Sequence, residues 1–200
     1  MTDRFQNTAQ PDTDWWEALW PEPGDTLRTL GLERDDTALD LCCGDGHFTV
    51  AMARIVASRR VVAVDIDERL LDAVSERADG AGLGNVETVR CDARELPAHV
   101  DGPFDFALLA NTLHGADEPA ALLDRVREVL GDEARLAVIN WRDAPSERTT
   151  VLDEPRGPPE ALRMTPDETA AAGRAAGYAV VERVELPPHH HAVVLGQDRD

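Results

Sequence analysis

The chain predicts an α/β fold: a doubly wound, mostly parallel seven-stranded sheet with a terminal antiparallel strand. Three observations predict it. Apolar runs of strand length alternate with stretches of helical periodicity from residue 38 onward, the order expected of parallel strands joined by helical crossovers. The stretch ALDLCCGDGHFTV, from Ala38 to Val50, reads as strand, glycine turn and helix. Two further apolar runs flank Pro187-Pro188 and read as an antiparallel pair.

The elements follow in order. Residues 1–14 are polar and read as loose, and Trp15, Trp16 and Trp20 occupy a short helical segment closed by Pro21 and Pro23. Gly24 to Leu32 reads as a second helix with Leu27 and Leu30 inward. Residues 1–36 thus form a helical cap or lid, and residues 37–200 the main domain. Ala38 starts the first strand and RVVAVD, ending at Asp65, is the second. Asp67 caps a helix whose Leu70, Leu71, Val74 and Ala78 recur at helical spacing until Gly80 and Gly82 break it. Val86 to Cys91 is the third strand, Phe104 to Ala110 the fourth, and Arg135 to Trp141 the fifth. Between the last two, Glu118 to Leu130 reads as an amphipathic helix stopped by Gly131. Residues 143–164 show little periodicity and read as a long surface connection beside the substrate pocket. Thr165-Pro166-Asp167-Glu168 is a capping box, and the Ala-rich helix that it opens runs to Gly177. Tyr178 to Leu186 and His191 to Leu195 complete seven strands.

Composition narrows the function. Two hundred residues suffice for one well-packed core. The net charge of −19 disfavours nucleic acid and anionic membranes as partners. All 20 basic residues are Arg, which removes Schiff-base chemistry and the phosphate-gripping Lys of a Walker loop. Abundant carboxylates without Lys look like a salt-adapted, halophilic proteome. Cys42, Cys43 and Cys91 form no disulfide framework and no zinc spacing, so a reduced cytoplasm is the expected location. No apolar run reaches membrane-spanning length. His189, His190 and His191 cannot all face one metal from a strand, whose neighbours alternate sides, so no metal is expected.

The glycine turn carries the chemistry. Gly44 and Gly46 let the backbone turn sharply and approach a ligand, and the following helix aims its first N–H groups at the same place. Nineteen residues after Gly46 stands Asp65, whose carboxylate can accept both ribose hydroxyls of an adenosine-containing ligand. Two cofactor classes use this layout. A dinucleotide fingerprint needs a third Gly where Thr49 stands, and its pyrophosphate would meet Asp40 and Asp45 with no basic residue between Thr37 and Ala53. A sulfonium nucleoside suits an acidic rim. Asp40-Leu41-Cys42-Cys43-Gly44-Asp45-Gly46 resembles the D/E-x-G-x-G-x-G motif of class I S-adenosylmethionine-dependent methyltransferases, with Cys42 replacing the first Gly.

The resemblance covers residues 37–195 and implies a Rossmann-like methyltransferase fold with S-adenosyl-L-methionine as cofactor. It implies cofactor contacts from Asp40, Cys42, Gly44, Gly46, Asp65, Ile66, Asp92, Ala93 and Asn111. Asp92 matches the position that accepts a hydrogen bond from the adenine amino group; the alternative is a turn cap. Asn111 and His114 follow the fourth strand, where such proteins face both cofactor and acceptor. His114 is the candidate base, against an ordinary polar contact. Trp15, Trp16 and Trp20 either pack on the sheet or form a lid over the donor methyl; Trp16 and Trp20, which share a helix face, are the candidate substrate contacts, with Trp141.

Methyl transfer needs alignment more than it needs a nucleophile, and no Ser or Cys constellation is visible. The expected activity is therefore transfer to a small-molecule acceptor by a monomer or homodimer. The rival readings are an NAD(P)-dependent oxidoreductase and a non-catalytic module that binds a partner protein through its tryptophans.

Overall fold

A computed structural model describes residues 4–198. Its sheet has seven strands in the order β3-β2-β1-β4-β5-β9-β8. These are β1 (Ala38–Leu41), β2 (Val61–Asp65), β3 (Val86–Arg90), β4 (Phe104–Ala110), β5 (Leu130–Trp141), β8 (Tyr178–Leu186) and β9 (His190–Gln197). Strands β1 to β5 pair in parallel, whereas β9 lies antiparallel between β5 and β8. Strand order reverses between β1 and β4, so a crevice opens at their carboxyl ends.

Both sheet faces are covered. The helices α1 (Thr13–Leu19), α2 (Pro23–Thr29) and α3 (His47–Ile55) bury Trp16, Leu27 and Met52 against one face, with Ala38, Val61 and Phe106 beneath them. α4 (Glu68–Gly80) lies beside α3, and its N-cap Asp67 accepts the Arg69 N–H at 3.0 Å. α5 (Pro119–Arg127) and α6 (Pro166–Ala175) cover the other face, over Leu39, Val64, Leu109 and Val193. Side-chain bonds fix them there: Tyr178 Oη donates to the Leu123 carbonyl at 3.1 Å and Asn140 Nδ2 to Thr169 Oγ1 at 3.0 Å. The Thr165–Glu168 capping box is formed in both directions.

Three expectations need correction. The helix expected over Glu118–Leu130 ends at Arg127, and Leu130 belongs to β5, where it pairs with Phe104. A bulge then lets Phe106 pair with Arg135, so the strand takes up Gly131 instead of stopping at it. The 143–164 connection is not featureless: it holds a small hairpin, β6 (Thr150–Val151) and β7 (Glu154–Pro155), around the buried Arg163. Finally, residues 4–11 are packed as an arm across the crevice, through side-chain contacts that hydropathy patterns do not register.

Candidate functional site

The crevice is a cavity of about 240 Å³ at the carboxyl ends of β1, β2 and β4. Strand β1 delivers Asp40 at its rim, 2% exposed. Burial pushes the Asp40 carboxyl up to about 7, against the opposing hydrogen bond from Thr49. The turn that follows places Cys42 at φ 58°, the left-handed region that glycine occupies without cost. Burial raises the thiols of Cys42, Cys43 and Cys91, the last to about 11, so none is a thiolate nucleophile near neutrality.

Strand β2 delivers Asp65 opposite this turn. Its Oδ2 accepts the Gly44 N–H at 3.0 Å and its Oδ1 accepts the Asp67 N–H at 3.0 Å. Each oxygen keeps acceptor capacity for a ligand hydroxyl. Burial raises the Asp65 pKa; the backbone donors at Asp67 and Gly44 act against that rise. Ile66, Asp92 and Ala93 continue the same rim. Asp92 does act as a turn cap, taking the Arg94 N–H at 2.9 Å and the Arg94 guanidinium at 2.7 Å, while it still lines the cavity.

Asn111 follows the last residue of β4 at φ 54°, and its Oδ1 and Nδ2 are buried without a protein partner. His114 lies just beyond, 8% exposed, with burial lowering its pKa. Trp141 reaches the cavity from the end of β5, and Trp15 and Trp16 from α1.

Two expected site residues are not brought to the cavity. Gly46 is the left-handed N-cap of α3 and faces Val74 of α4, so its role is to let two helices approach. Trp20 packs on Phe48 and His190, with ring centroids at 5.3 and 4.6 Å, and is 4% exposed. Of the three tryptophans read as a lid, Trp15 and Trp16 line the cavity.

Sequence reasoning also missed the arm, whose Arg4, Asn7 and Gln10 line the cavity, and Asp45, whose Oδ1 is buried without a partner. Nor is the rim purely acidic. Arg77 pairs with Asp45 at 2.7 Å, Arg94 with Asp92, and Arg4 with Asp67. Arg77 and Arg4 reach their carboxylates across 32 and 63 positions, beyond a local reading, whereas Arg94 stands only two residues from Asp92.

This donor set fits S-adenosylmethionine. Asp65 offers acceptors for a ribose, Asp45 an unpaired carboxylate oxygen for a cationic group, and Asn111 an unpaired amide. A pyrophosphate would instead face guanidinium groups already committed to carboxylates. Among the described residues no cluster of potential ligands could hold a metal ion.

Comparison with known proteins agrees. Residues 38–133 match the methyltransferase domain family, from the first strand into the fifth. Over 105 residues the chain is 31% identical to a demethylmenaquinone methyltransferase of Staphylococcus aureus, covering 52% of this chain and 42% of that protein. The chain therefore spans less than half the length of the curated relatives that it matches. A SAM-dependent methyltransferase from Aquifex aeolicus superposes with a TM-score of 0.78 at 26% identity, covering 92% of this chain and 93% of the other. The [4+2]-cyclase SpnF superposes at 0.71 with 16% identity over 88% and 81% of the two chains, which shows shared fold alone. Sequence motif, sheet order and these likenesses converge on the S-adenosylmethionine-dependent methyltransferases, whose domain family residues 38–133 match and one of whose solved structures shares the fold over nearly the whole chain.

Proposed function

We propose that this protein transfers a methyl group from S-adenosylmethionine to a small-molecule acceptor. The observation that carries the reading is Asp65, held opposite the Gly44 turn with acceptor capacity on both carboxylate oxygens at the topological switch point of the sheet. When bound, S-adenosylmethionine supplies a methyl group already activated by its sulfonium.

The chain's own residues supply alignment. Asp65 would hold the ribose through two charge-assisted hydrogen bonds of about 1.5–3 kcal/mol each. The Cys42–Asp45 turn and Asn111 would seat the amino-acid end, and Ile66, Asp92 and Ala93 the adenine. Asp92, already neutralised by Arg94, offers its remaining lone pairs to an exocyclic amine. The aromatic residues of α1 and β5 close the cavity and exclude water from the transfer.

A small acceptor follows from a cavity enclosed by the arm and from a chain whose acidic surface repels nucleic acid. Among the described residues no helix is long and apolar enough to cross a membrane. Incubating the purified protein with a labelled methyl donor and a salt-rich cell extract tests the reading. Label transferred to a small organic product supports it; saturable NADH binding with no donor uptake would replace it with the oxidoreductase reading.

A further inference from the structure

Residues 4–11 touch the loops after all three strands that frame the crevice, yet they form no helix or strand and none of them is buried. Beyond β2, Arg4 pairs with Asp67. Beyond β4, the Gln6 N–H donates to the Gly115 carbonyl at 3.1 Å, and Gln6 Nε2 donates to Asp117 Oδ1 at 3.3 Å. After β1, the Gln10 side-chain amide lies against the bare face of Gly44, where a Cβ would collide with it.

These anchors are polar and face solvent, and exposed ion pairs and hydrogen bonds hold a segment weakly. The helix that the arm runs into is fastened differently. α1 buries Trp16 and Leu19 in the core. The arm can therefore swing at Pro11 and Asp12 while α1 stays packed.

Phe5 and Arg94 stand between two spaces, with the Phe5 ring 5.0 Å from the guanidinium. On one side is the crevice, and on the other a hollow of about 280 Å³ bordered by Ala116, Leu122 and Arg125. Lifting the arm removes the Phe5 half of that partition.

Gly115 is the seat of the arm. Its φ lies outside the left-handed region, so its own backbone does not require glycine. The arm does. A Cβ at 115 would meet the Gln6 carbonyl oxygen, the Gln6 nitrogen and Thr8 Cγ2, and those three nearest atoms all belong to the arm. Alanine at this position is thus a substitution aimed at the closed arm.

We propose that residues 4–11 are a gate over the donor: a strap that lifts from its seat at Gly115 to admit S-adenosylmethionine and to release the demethylated product, and whose lifting limits the rate of both exchanges. The inference rests on the methyl-transfer reading. A gate slows entry and exit together and leaves affinity nearly unchanged, whereas a residue that only grips the ligand slows exit alone.

The test uses the full-length protein and stopped-flow tryptophan emission, since Trp15 and Trp16 line the crevice. S-adenosylmethionine and S-adenosylhomocysteine are the two ligands. In the wild type the observed association rate should level off with rising ligand, at the rate of strap opening. Gly115→Ala should raise both association and dissociation rates at least about tenfold, with Kd changed by less than about threefold. Arg4→Gln, at a half-exposed side chain that cannot disturb the core, should move both rates the same way by at least about threefold, and it keeps the test open if Gly115→Ala does not fold. No calorimetric binding of S-adenosylmethionine to the wild type would end the methyl-transfer reading and this inference with it. Binding accompanied by unmoved rates in the folded variants overturns the gate and leaves the donor reading standing. So does a wild-type association rate that climbs linearly without limit, or a Kd weakened in step with the dissociation rate alone.

Discussion

Thr49 Oγ1 donates a 2.6 Å hydrogen bond to Asp40 Oδ2 in the buried seam between α3 and β1. Thr49 occupies the position where a dinucleotide fingerprint would place its third glycine, and here a hydroxyl takes that place to partner a buried carboxylate. Thr49→Val keeps the shape and removes the donor, leaving Asp40 without side-chain support. The expected loss is about 1–3 kcal/mol of stability near pH 8, measured by urea unfolding. A loss below about 0.5 kcal/mol would mean that Asp40 does not depend on this hydroxyl.

Asp40 also gives the fold a pH dependence. Its carboxyl is raised from 3.8 to about 7 in the folded chain, chiefly by burial. Between those values the folded state binds more protons than the unfolded state, so this group's contribution is fully present below about pH 4 and is lost as pH rises towards 7. The full span is at most about 4 kcal/mol. Asp40→Asn should flatten the difference in unfolding free energy between pH 5 and pH 8; identical pH profiles for the two proteins would contradict the assignment.

Arg163 ties together the connection between β5 and α6. It donates to the carbonyls of Pro158, Ala144 and Arg156 and to Thr149 Oγ1, at 3.1, 2.5, 3.3 and 3.0 Å. Arg163→Met keeps the apolar stem and strips every donor. The expected cost is about 2–4 kcal/mol, with new protease cleavage between residues 144 and 162 and a red-shifted Trp141 emission. Arg163→Lys should restore little, since one ammonium cannot reproduce the fork. Full recovery with Lys would mean that charge alone matters.

With 39 acidic and 20 basic residues the folded chain repels itself at low ionic strength. Added salt shortens the Debye length and relieves that repulsion. The melting temperature should rise between 0.05 and 1 M NaCl, by about 5 °C or more, in a scanning calorimeter. A flat or falling profile would show that the carboxylates are not a net liability without screening.

How much of this was legible in the sequence follows from where each interaction originates. The strands, the crevice edge and Asp65 were readable because they depend on local periodicity and on a turn whose spacing is fixed. The Asp67 cap and the Thr165–Glu168 box are likewise contacts within four residues. The site's remaining parts arise at long range. Arg77 reaches Asp45 across 32 positions, and Asn7 reaches His114 across 107. No composition or period encodes those meetings. Trp20 does share the face of Trp16, with ring centroids 6.1 Å apart, but its ring packs on Phe48 and His190, long-range partners that helical spacing does not reveal.

The central claim, that Asp65 grips the ribose of S-adenosylmethionine, is tested most directly by isothermal titration of that cofactor into the wild-type protein and Asp65→Ala. The account predicts saturable one-site binding to the wild type and no measurable heat of binding with a folded Asp65→Ala. Equal affinity for the two proteins, or no binding to the wild type while NADH binds, would contradict it.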